Sequence, residues 1–168
     1  MRHFVKATAV GLVALALAAG GMATSADAAT ATATIAVSAN VLANCGVSAS
    51  PLAFGTYSPA ASSATNATTT LAVTCTNGTT YTVSLSAGGG TGATIATRKP
   101  TSGSNTLNYS LYSNAAATTV WGDTVGTNTV AGTGSGAAQN LTVYGSIPAS
   151  QNVFAGSYTD TVNVTLTY

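Results

Sequence analysis

Apolar and polar residues alternate with a period of two over much of the chain, the pattern of β-strands with one buried face. The segments 35–41, 71–75 and 81–85 each place an apolar side chain at every second position. Helix-period apolar patterns of useful length are absent from the sequence after residue 28. The pattern therefore predicts an all-β protein built from short strands.

Turn residues divide this pattern into separate elements. Asn77-Gly78 lies between the alternating segments 71–76 and 79–87 and predicts a β-hairpin, because Asn-Gly readily adopts the positive φ of a tight turn. Loops are predicted at 88–92 and 132–136. Further strands are predicted at 47–54, 107–113, 118–121, 124–130, 140–147 and 157–168. Several short strands separated by turns favour a β-sandwich.

The two ends of this region carry unusual strands. In the last strand, one side of the alternation is apolar and the other is mainly Thr; the apolar side consists of Tyr158, Val162, Val164, Leu166 and Tyr168. If no other strand pairs with one edge of this core strand, unpaired backbone N–H and C=O groups are exposed there. Residues 30–40 form an extended segment that has no evident partner in sequence order. Strand exchange between subunits would explain both features; alternatively, 35–41 is the first strand of its own sandwich, and the pattern leaves both open.

Residues 1–28 have the layout of a secretory signal peptide. Arg2, His3 and Lys6 precede an apolar run over 7–19, and small residues follow up to Ala28. The run is short for a membrane span, which needs about 20 residues, although a retained anchor helix is the alternative. No later stretch is apolar enough to span a membrane. The sequence predicts a mature protein that begins near Ala29, has no membrane span and works outside the cytoplasm.

Charge is nearly absent from residues 29–168. Their only charged side chains are Arg98, Lys99, Asp123 and Asp160, which sum to zero, and the chain has no Glu. The sole His, His3, lies in the signal peptide. No basic surface exists for nucleic acid, no ligand cluster for a transition metal, and no evident acid–base pair for catalysis. We expect no enzyme activity, no catalytic or metal-binding residues, no cofactor and no nucleic-acid partner.

Cys45 and Cys75 are the only cysteines. An even pair in an exported chain predicts one disulfide. Closing this loop is worth roughly 3–4 kcal/mol in the chain-entropy model.

Seven short segments occur in an order that resembles a known family. They are Asn44-Cys45, Leu52-Ala53-Phe54-Gly55-Thr56-Tyr57, Val73-Thr74-Cys75-Thr76-Asn77-Gly78, Leu107-Asn108-Tyr109-Ser110-Leu111-Tyr112, Val120-Trp121-Gly122-Asp123, Leu141-Thr142-Val143-Tyr144-Gly145-Ser146-Ile147-Pro148-Ala149 and Ala155-Gly156-Ser157-Tyr158-Thr159-Asp160. Together with the Cys45/Cys75 spacing, they resemble the spore coat protein U domain, a family that includes pilins of the archaic chaperone–usher pathway.

The resemblance implies an incomplete immunoglobulin-like β-sandwich that lacks its last strand. It divides the chain into a signal peptide (1–28), an N-terminal donor strand (29–43) and a pilin domain (44–168). The implied partners are identical or related pilin subunits, a periplasmic chaperone and an outer-membrane usher, and the implied location is a surface fimbrium reached through the periplasm. The implied donor residues are Ile35, Val37, Ala39 and Val41. They would enter a neighbour's acceptor groove beside Val162, Val164, Leu166 and Tyr168.

A few individual residues have structural and functional interpretations. Trp121 is expected in the core, with a sugar-stacking platform alongside Tyr109, Tyr112 and Tyr144 as the alternative. Asp123 and Asp160 are expected to cap turns rather than bind calcium. Arg98-Lys99-Pro100 is expected to be a solvated loop.

Three functions remain open. The first is a subunit of a fibre for adhesion and biofilm formation, the second is a coat protein of a spore or cell surface, and the third is a monomeric carbohydrate-binding sandwich.

Overall fold

Nine β-strands and no helix occupy residues 28–168, the part of the chain described by this computed structural model. The strands are β1 (Cys45–Ala49), β2 (Thr65–Cys75), β3 (Thr80–Leu85), β4 (Thr101–Ser102), β5 (Asn105–Thr106), β6 (Ser110–Tyr112), β7 (Val130–Thr133), β8 (Ala138–Ile147) and β9 (Val164–Thr167). The chain divides into two units, Met1–Ala39 and Asn40–Tyr168. All nine strands belong to the second unit, and the prediction of an all-β protein is confirmed.

The two larger sheets have the strand arrangement of an immunoglobulin-like sandwich. The four-stranded sheet has the order β1-β2-β8-β6, and the three-stranded sheet has the order β7-β3-β9; every pair is antiparallel. In immunoglobulin nomenclature these orders correspond to strands A-B-E-D and to a sheet containing C and F. The core consists of Leu71, Val73, Cys75, Tyr81, Val83, Leu85, Leu107, Tyr109, Leu111, Trp121, Val143 and Ile147.

The predicted hairpin between 71–76 and 79–87 is wrong, although its turn forms. Gly78 has φ of +80°, and the Thr79 N–H donates to the Thr76 carbonyl over 3.0 Å. However, β2 already pairs with β1 along one edge and with β8 along the other. Because β2 has no free edge, the chain crosses after Gly78 to the opposite sheet, where β3 pairs with β7 and β9. The apolar sides of β2 and β3 therefore face each other across the core.

Other strand predictions are confirmed to different extents. The strand at 140–147 is confirmed as part of β8. The predictions at 107–113 and 157–168 contain β6 and β9, which are shorter than predicted, whereas the prediction at 47–54 overlaps β1 only over residues 47–49. The segment 118–121 contributes only a bridge between Tyr112 and Val120. The first half of β2 was missed, because its run of Asn, Ala and Thr has little apolar alternation.

The predictions at 124–130 and 132–136 are wrong in part. Residues 124–128 form a turn, in which the Thr127 and Asn128 N–H groups both donate to the Thr124 carbonyl. The strand begins only at Val130 and continues through Gly132. A side chain at Gly132 would collide with the ring of Tyr81, so this glycine serves close packing rather than a loop. The loop at 88–92 is confirmed.

Arg98 lies in the core, so the prediction of a solvated loop is wrong. Its side chain is fully buried and donates to four backbone carbonyls: Ser86 (2.8 Å), Ile95 (3.0 Å), Leu85 (3.3 Å) and Trp121 (2.8 Å). Burial lowers the pKa of the guanidinium, and the nearby Tyr109, Asp160 and Asp123 act in the opposite direction. Arg98 thus joins the end of β3 to the segments at Ile95 and Trp121 by donating to their carbonyls.

The predicted disulfide joins Cys45 and Cys75. These residues are directly paired across β1 and β2, so the bond fastens the first residue of the sandwich to the end of β2. Thr76 adds a second attachment, since its N–H donates to the Asn44 carbonyl and its hydroxyl accepts from the Asn44 N–H.

We expect thiol labelling of the folded, unreduced protein to detect no free thiol. Replacing both cysteines with Ser should lower the free energy of unfolding by roughly 3–4 kcal/mol. Denaturant titration of the variant and the parent checks the magnitude, and stoichiometric labelling of the parent would contradict the bond.

Residues 28–44 contain no strand. The alternative that 35–41 is the first strand of its own sandwich is therefore wrong, because the first strand begins at Cys45. The predicted signal peptide lies almost entirely outside the described residues. Within residues 28–168, no helix is long and apolar enough to cross a membrane.

Candidate functional site

An apolar groove opens into the core of the sandwich. Its volume is about 1090 Å³, and its walls are formed by the end of β1 with the segment that follows it (49–57) and by residues 153–162 with the start of β9 at Val164. The groove floor belongs to the core itself and includes Leu71, Leu85, Leu107, Leu111, Val143 and Ile147. The two sheets therefore leave part of their shared core open between these walls.

The groove lies where two sheet edges are free. β9 pairs with β3 along one edge, and no strand in the described residues pairs with its other edge. β1 is likewise an edge strand of its sheet, and it approaches β9 across the sandwich. In a complete immunoglobulin-like sandwich, strand G occupies the position next to strand F, which is β9 here. The groove thus adjoins the ends of both edge strands, at Ala49 of β1 and Val164 of β9.

The first wall follows directly from β1. Pro51 lacks an N–H group, and Gly55 has φ of +72°, so this segment does not continue the ladder with β2. Leu52 and Phe54 instead pack over Gly145 of β8, where a Cβ atom would collide with both side chains. The Phe54 ring meets Tyr109 edge to face, with 5.8 Å between centroids.

The second wall contains part of the predicted acceptor set. Val162 and Val164 line the groove. Leu166 is half-buried on the same side of the alternation, whereas Tyr168 is 58% exposed. The predicted alternation of this strand is present, but its even-numbered side is only half-buried, as are the inward sides of β1 and β7, whereas β3 buries its inward residues fully.

Hydrogen bonds of Tyr57 and Gln151 hold one end of the groove together. The Tyr57 hydroxyl donates to the Pro148 carbonyl (3.0 Å) and accepts from the Gln151 N–H (2.8 Å). The Gln151 side chain in turn bonds the backbone N–H and carbonyl of Asn108. Phe154 lies three residues after Gln151, lines the groove and is 72% exposed.

Asp160 is the only charged residue among those that line the groove. Its Oδ1 accepts from the N–H groups of Gly89 and Thr161, and its Oδ2 accepts from the Tyr109 hydroxyl, each over 2.8 Å. The predicted turn-capping role of Asp160 is thus confirmed. Asp123 is exposed, and the turn that follows it is capped by the Asn128 side chain, which accepts from the Thr124 N–H.

Burial raises the pKa of Tyr109 well above its ordinary value, and the hydrogen bond to Asp160 raises it further. The fold therefore favours the protonated phenol. An unfolded tyrosine loses its proton near pH 10, so this contribution to stability is complete below that pH. This stabilisation declines as the pH rises above about 10 toward the pKa of Tyr109 in the folded protein.

We expect the free energy of unfolding to fall as the pH increases above about 10. Tyr109→Phe should weaken this dependence, because it removes the ionisable group, while also lowering stability at neutral pH. Urea titrations at pH 8 and pH 11 test both effects, and an equal pH dependence in the variant would contradict the assignment.

The four predicted donor residues are accessible. Ile35, Val37 and Val41 are 86%, 89% and 80% exposed, and Ala39 is also exposed. They lie on a segment without secondary structure. In the 12 residues from 30 to 41 no side chain is charged, so the apolar positions alternate only with Ala, Ser, Thr and Asn.

Several groove residues were not predicted from the sequence. Leu52 and Phe54 of the first wall were assigned to a regular strand, Tyr57 was given no site role, and the floor is set by long-range packing. Pro51 and Gly55 were the available signals that this segment leaves the sheet.

Trp121 is a core residue, as expected. It is 1% exposed, and its Nε1–H donates to the Val83 carbonyl over 2.9 Å. Tyr109 is also buried, so a platform that uses all four predicted aromatic residues does not exist. No cluster of three or more His, Cys, Asp or Glu residues that could hold a metal occurs in residues 28–168.

The model of the spore coat protein U domain matches residues 31–165. The chain belongs to the spore coat protein U domain family. A member from Myxococcus xanthus, Protein U, is 36% identical over 134 residues, which cover 73% of this chain and 74% of the relative. Membership of the spore coat protein U family makes the chain a structural protein rather than an enzyme.

A solved structure has the same fold as this spore coat protein U domain. It is a chain in the crystal structure of the CsuC–CsuE chaperone–tip adhesion subunit pre-assembly complex from archaic chaperone–usher Csu pili of Acinetobacter baumannii. The TM-score is 0.57 and the sequence identity is 24%. The match covers 76% of this chain but only 40% of the solved chain.

Proposed function

We propose that the protein is an exported structural subunit of a surface fibre and that it polymerises by donor-strand complementation. In this proposal, the extension 29–43 of one subunit enters the groove of the next. The fibre would serve adhesion and biofilm formation. The observation that carries the proposal is the open groove at the free edge of β9 in a chain that also has an exposed, uncharged, alternating segment.

The chemistry of the two parts is complementary. A β-strand added at an edge gains backbone hydrogen bonds, and its alternate side chains enter the core. Ile35, Val37 and Val41 supply apolar side chains at the required spacing, and Val162, Val164 and Leu166 offer an apolar wall. Burying each of the three donor side chains contributes roughly 1.5–3 kcal/mol before the cost of ordering the segment. Ala39, being small, fills less of the groove than the other three residues.

The same groove implies two assembly partners. An open apolar core is an aggregation hazard until a strand covers it. We infer that a periplasmic chaperone lends a strand during transit and that an outer-membrane usher exchanges it for the next subunit's extension. The likeness to a chain from a chaperone–subunit complex supports this inference. Residues 1–28 would direct export to the periplasm, and the assembled protein would form a fimbrium on the cell surface.

A coat protein is the second candidate. Protein U of Myxococcus xanthus supports it, since its similarity covers about three quarters of both chains. The groove would then be filled by a copy in a surface layer rather than in a linear fibre.

Deletion of residues 30–41 tests the proposal. The parent, exported with a chaperone and usher, should form fibres by electron microscopy and ladders that resist denaturant. The deletion variant should be recovered only as chaperone-bound subunits by size-exclusion chromatography. Normal fibres from the deletion variant would contradict donor-strand assembly. If the parent gives denaturant-resistant ladders but no fibres, and the ladders are lost when residues 30–41 are deleted, the coat protein is favoured.

A further inference from the structure

The outer face of the four-stranded sheet carries an aromatic pair. Leu111 of β6 and Val143 of β8 point into the core, so their neighbours Tyr112 and Tyr144 point outward, and both are partly exposed. Tyr112 and Tyr144 are direct cross-strand partners. Side chains at such positions stand about 4.5–5.5 Å apart at Cβ. The two tyrosines therefore lie side by side on the outer face, and each is partly exposed.

Hydroxyl and amide groups surround this pair. Thr68 is the partner of Tyr144 on the next strand, and Ser110 and Ser146 pair with each other two residues away from the tyrosines. No outward-facing position in the four strands carries Asp, Glu, Lys, Arg or His. The face is thus polar and uncharged, and the two tyrosines lie on its β8–β6 side.

We propose that Tyr112 and Tyr144 form a binding site for a neutral pyranose polysaccharide. The C–H-rich face of a pyranose ring is weakly positive and fits the negative face of an aromatic ring. Its hydroxyl groups match the surrounding Thr and Ser side chains. An anionic polymer would lose hydration without meeting a counter-charge. A second copy of the chain fits less well, because the centre of a stable interface is apolar whereas this face is polar beyond the two rings.

The edge of the site is held in place. Loop 113–119 follows Tyr112 directly, and the Asn114 side chain organises it. Its Oδ1 accepts from the Thr118 and Thr119 N–H groups (3.1 and 2.9 Å), and its Nδ2 donates to the Thr118 hydroxyl (2.7 Å). Tyr112 also bridges to Val120. A rigid site avoids part of the ordering cost of binding.

This inference does not rest on fibre assembly. Neither tyrosine lines the groove, so a single subunit already contains the complete site. If subunits do assemble, each fibre repeats the site and gains avidity from many weak contacts.

Saturation-transfer NMR on the purified full chain tests the proposal with cellohexaose, maltohexaose and, as the anionic comparison, hexagalacturonate. Saturation should reach the ring protons of at least one neutral hexaose. In the double variant Tyr112→Ser/Tyr144→Ser, this saturation transfer should fall by about tenfold or more. Tyr112→Phe/Tyr144→Phe should retain it, as should Val125→Ser, which removes an exposed apolar side chain elsewhere.

A second measurement does not depend on variants. In the parent labelled with ¹³C-tyrosine, a bound hexaose should shift two ring signals. No transfer from either neutral hexaose, equal transfer from hexagalacturonate, or full transfer in a folded double Ser variant would overturn the site. So would a double Ser variant that changes only the oligomeric state by light scattering, since the face would then be a contact between copies.

Discussion

Val37→Asp in the proposed donor segment is expected to abolish fibres while leaving the subunit able to fold with its chaperone. The carboxylate would enter an apolar groove whose only charged lining residue, Asp160, is also negative. A buried, unpaired charge costs several kcal/mol, which exceeds the roughly 1.5–3 kcal/mol that the Val side chain contributes. Ile35→Asp should act in the same way. Electron microscopy and denaturant-resistant laddering of the exported variants measure the effect.

Ser38→Asp is the matched control. It places the same charge one residue further along, on the side of the strand that would face away from the groove. Fibres should persist in this variant. If Val37→Asp assembles normally, or if Ser38→Asp is equally damaging, then the alternate positions 35, 37, 39 and 41 do not face the groove.

Arg98→Met is expected to lower the free energy of unfolding by at least about 3 kcal/mol. The variant removes donors from four backbone carbonyls in a fully buried region, and each unsatisfied carbonyl carries a desolvation cost. Arg98→Lys should recover only part of this loss, because an ammonium cannot reproduce the planar fork that reaches several carbonyls. Urea titration of the exported chain measures the difference.

Lys99→Met provides the control for the change in net charge. Lys99 is adjacent to Arg98 but is partly exposed, so its replacement should change stability by no more than about 0.5 kcal/mol. If Arg98→Met is as mild as Lys99→Met, the carbonyl network does not stabilise the fold.

The features that the sequence predicted correctly are local. Alternation along a single strand identified the inward side of 157–168, and Val162 and Val164 indeed line the groove. The Cys45/Cys75 pair and the buried Trp121 also follow from residue type and context. The resemblance to the family added the expectation of an incomplete sandwich, which fits the free edge of β9.

The features that the sequence did not predict depend on distant partners. Asn77-Gly78 indicated a hairpin, but the occupied edges of β2 send the chain to the other sheet. Arg98 resembled a surface residue because its four carbonyl partners are separated from it by up to 23 positions. The first groove wall at 49–57 was likewise hidden, since its packing against Gly145 is a long-range contact.

Photo-crosslinking from the donor segment tests the central claim most directly. A benzoylphenylalanine residue at position 37 of the exported chain should yield covalent dimers and larger ladders on irradiation. Mass spectrometry should map the new bond to residues 49–57 or 153–166 of a neighbouring copy. The same group at position 38 should give few such products. Crosslinks that remain within one copy, or that map to the outer face of the four-stranded sheet, would contradict donor-strand complementation.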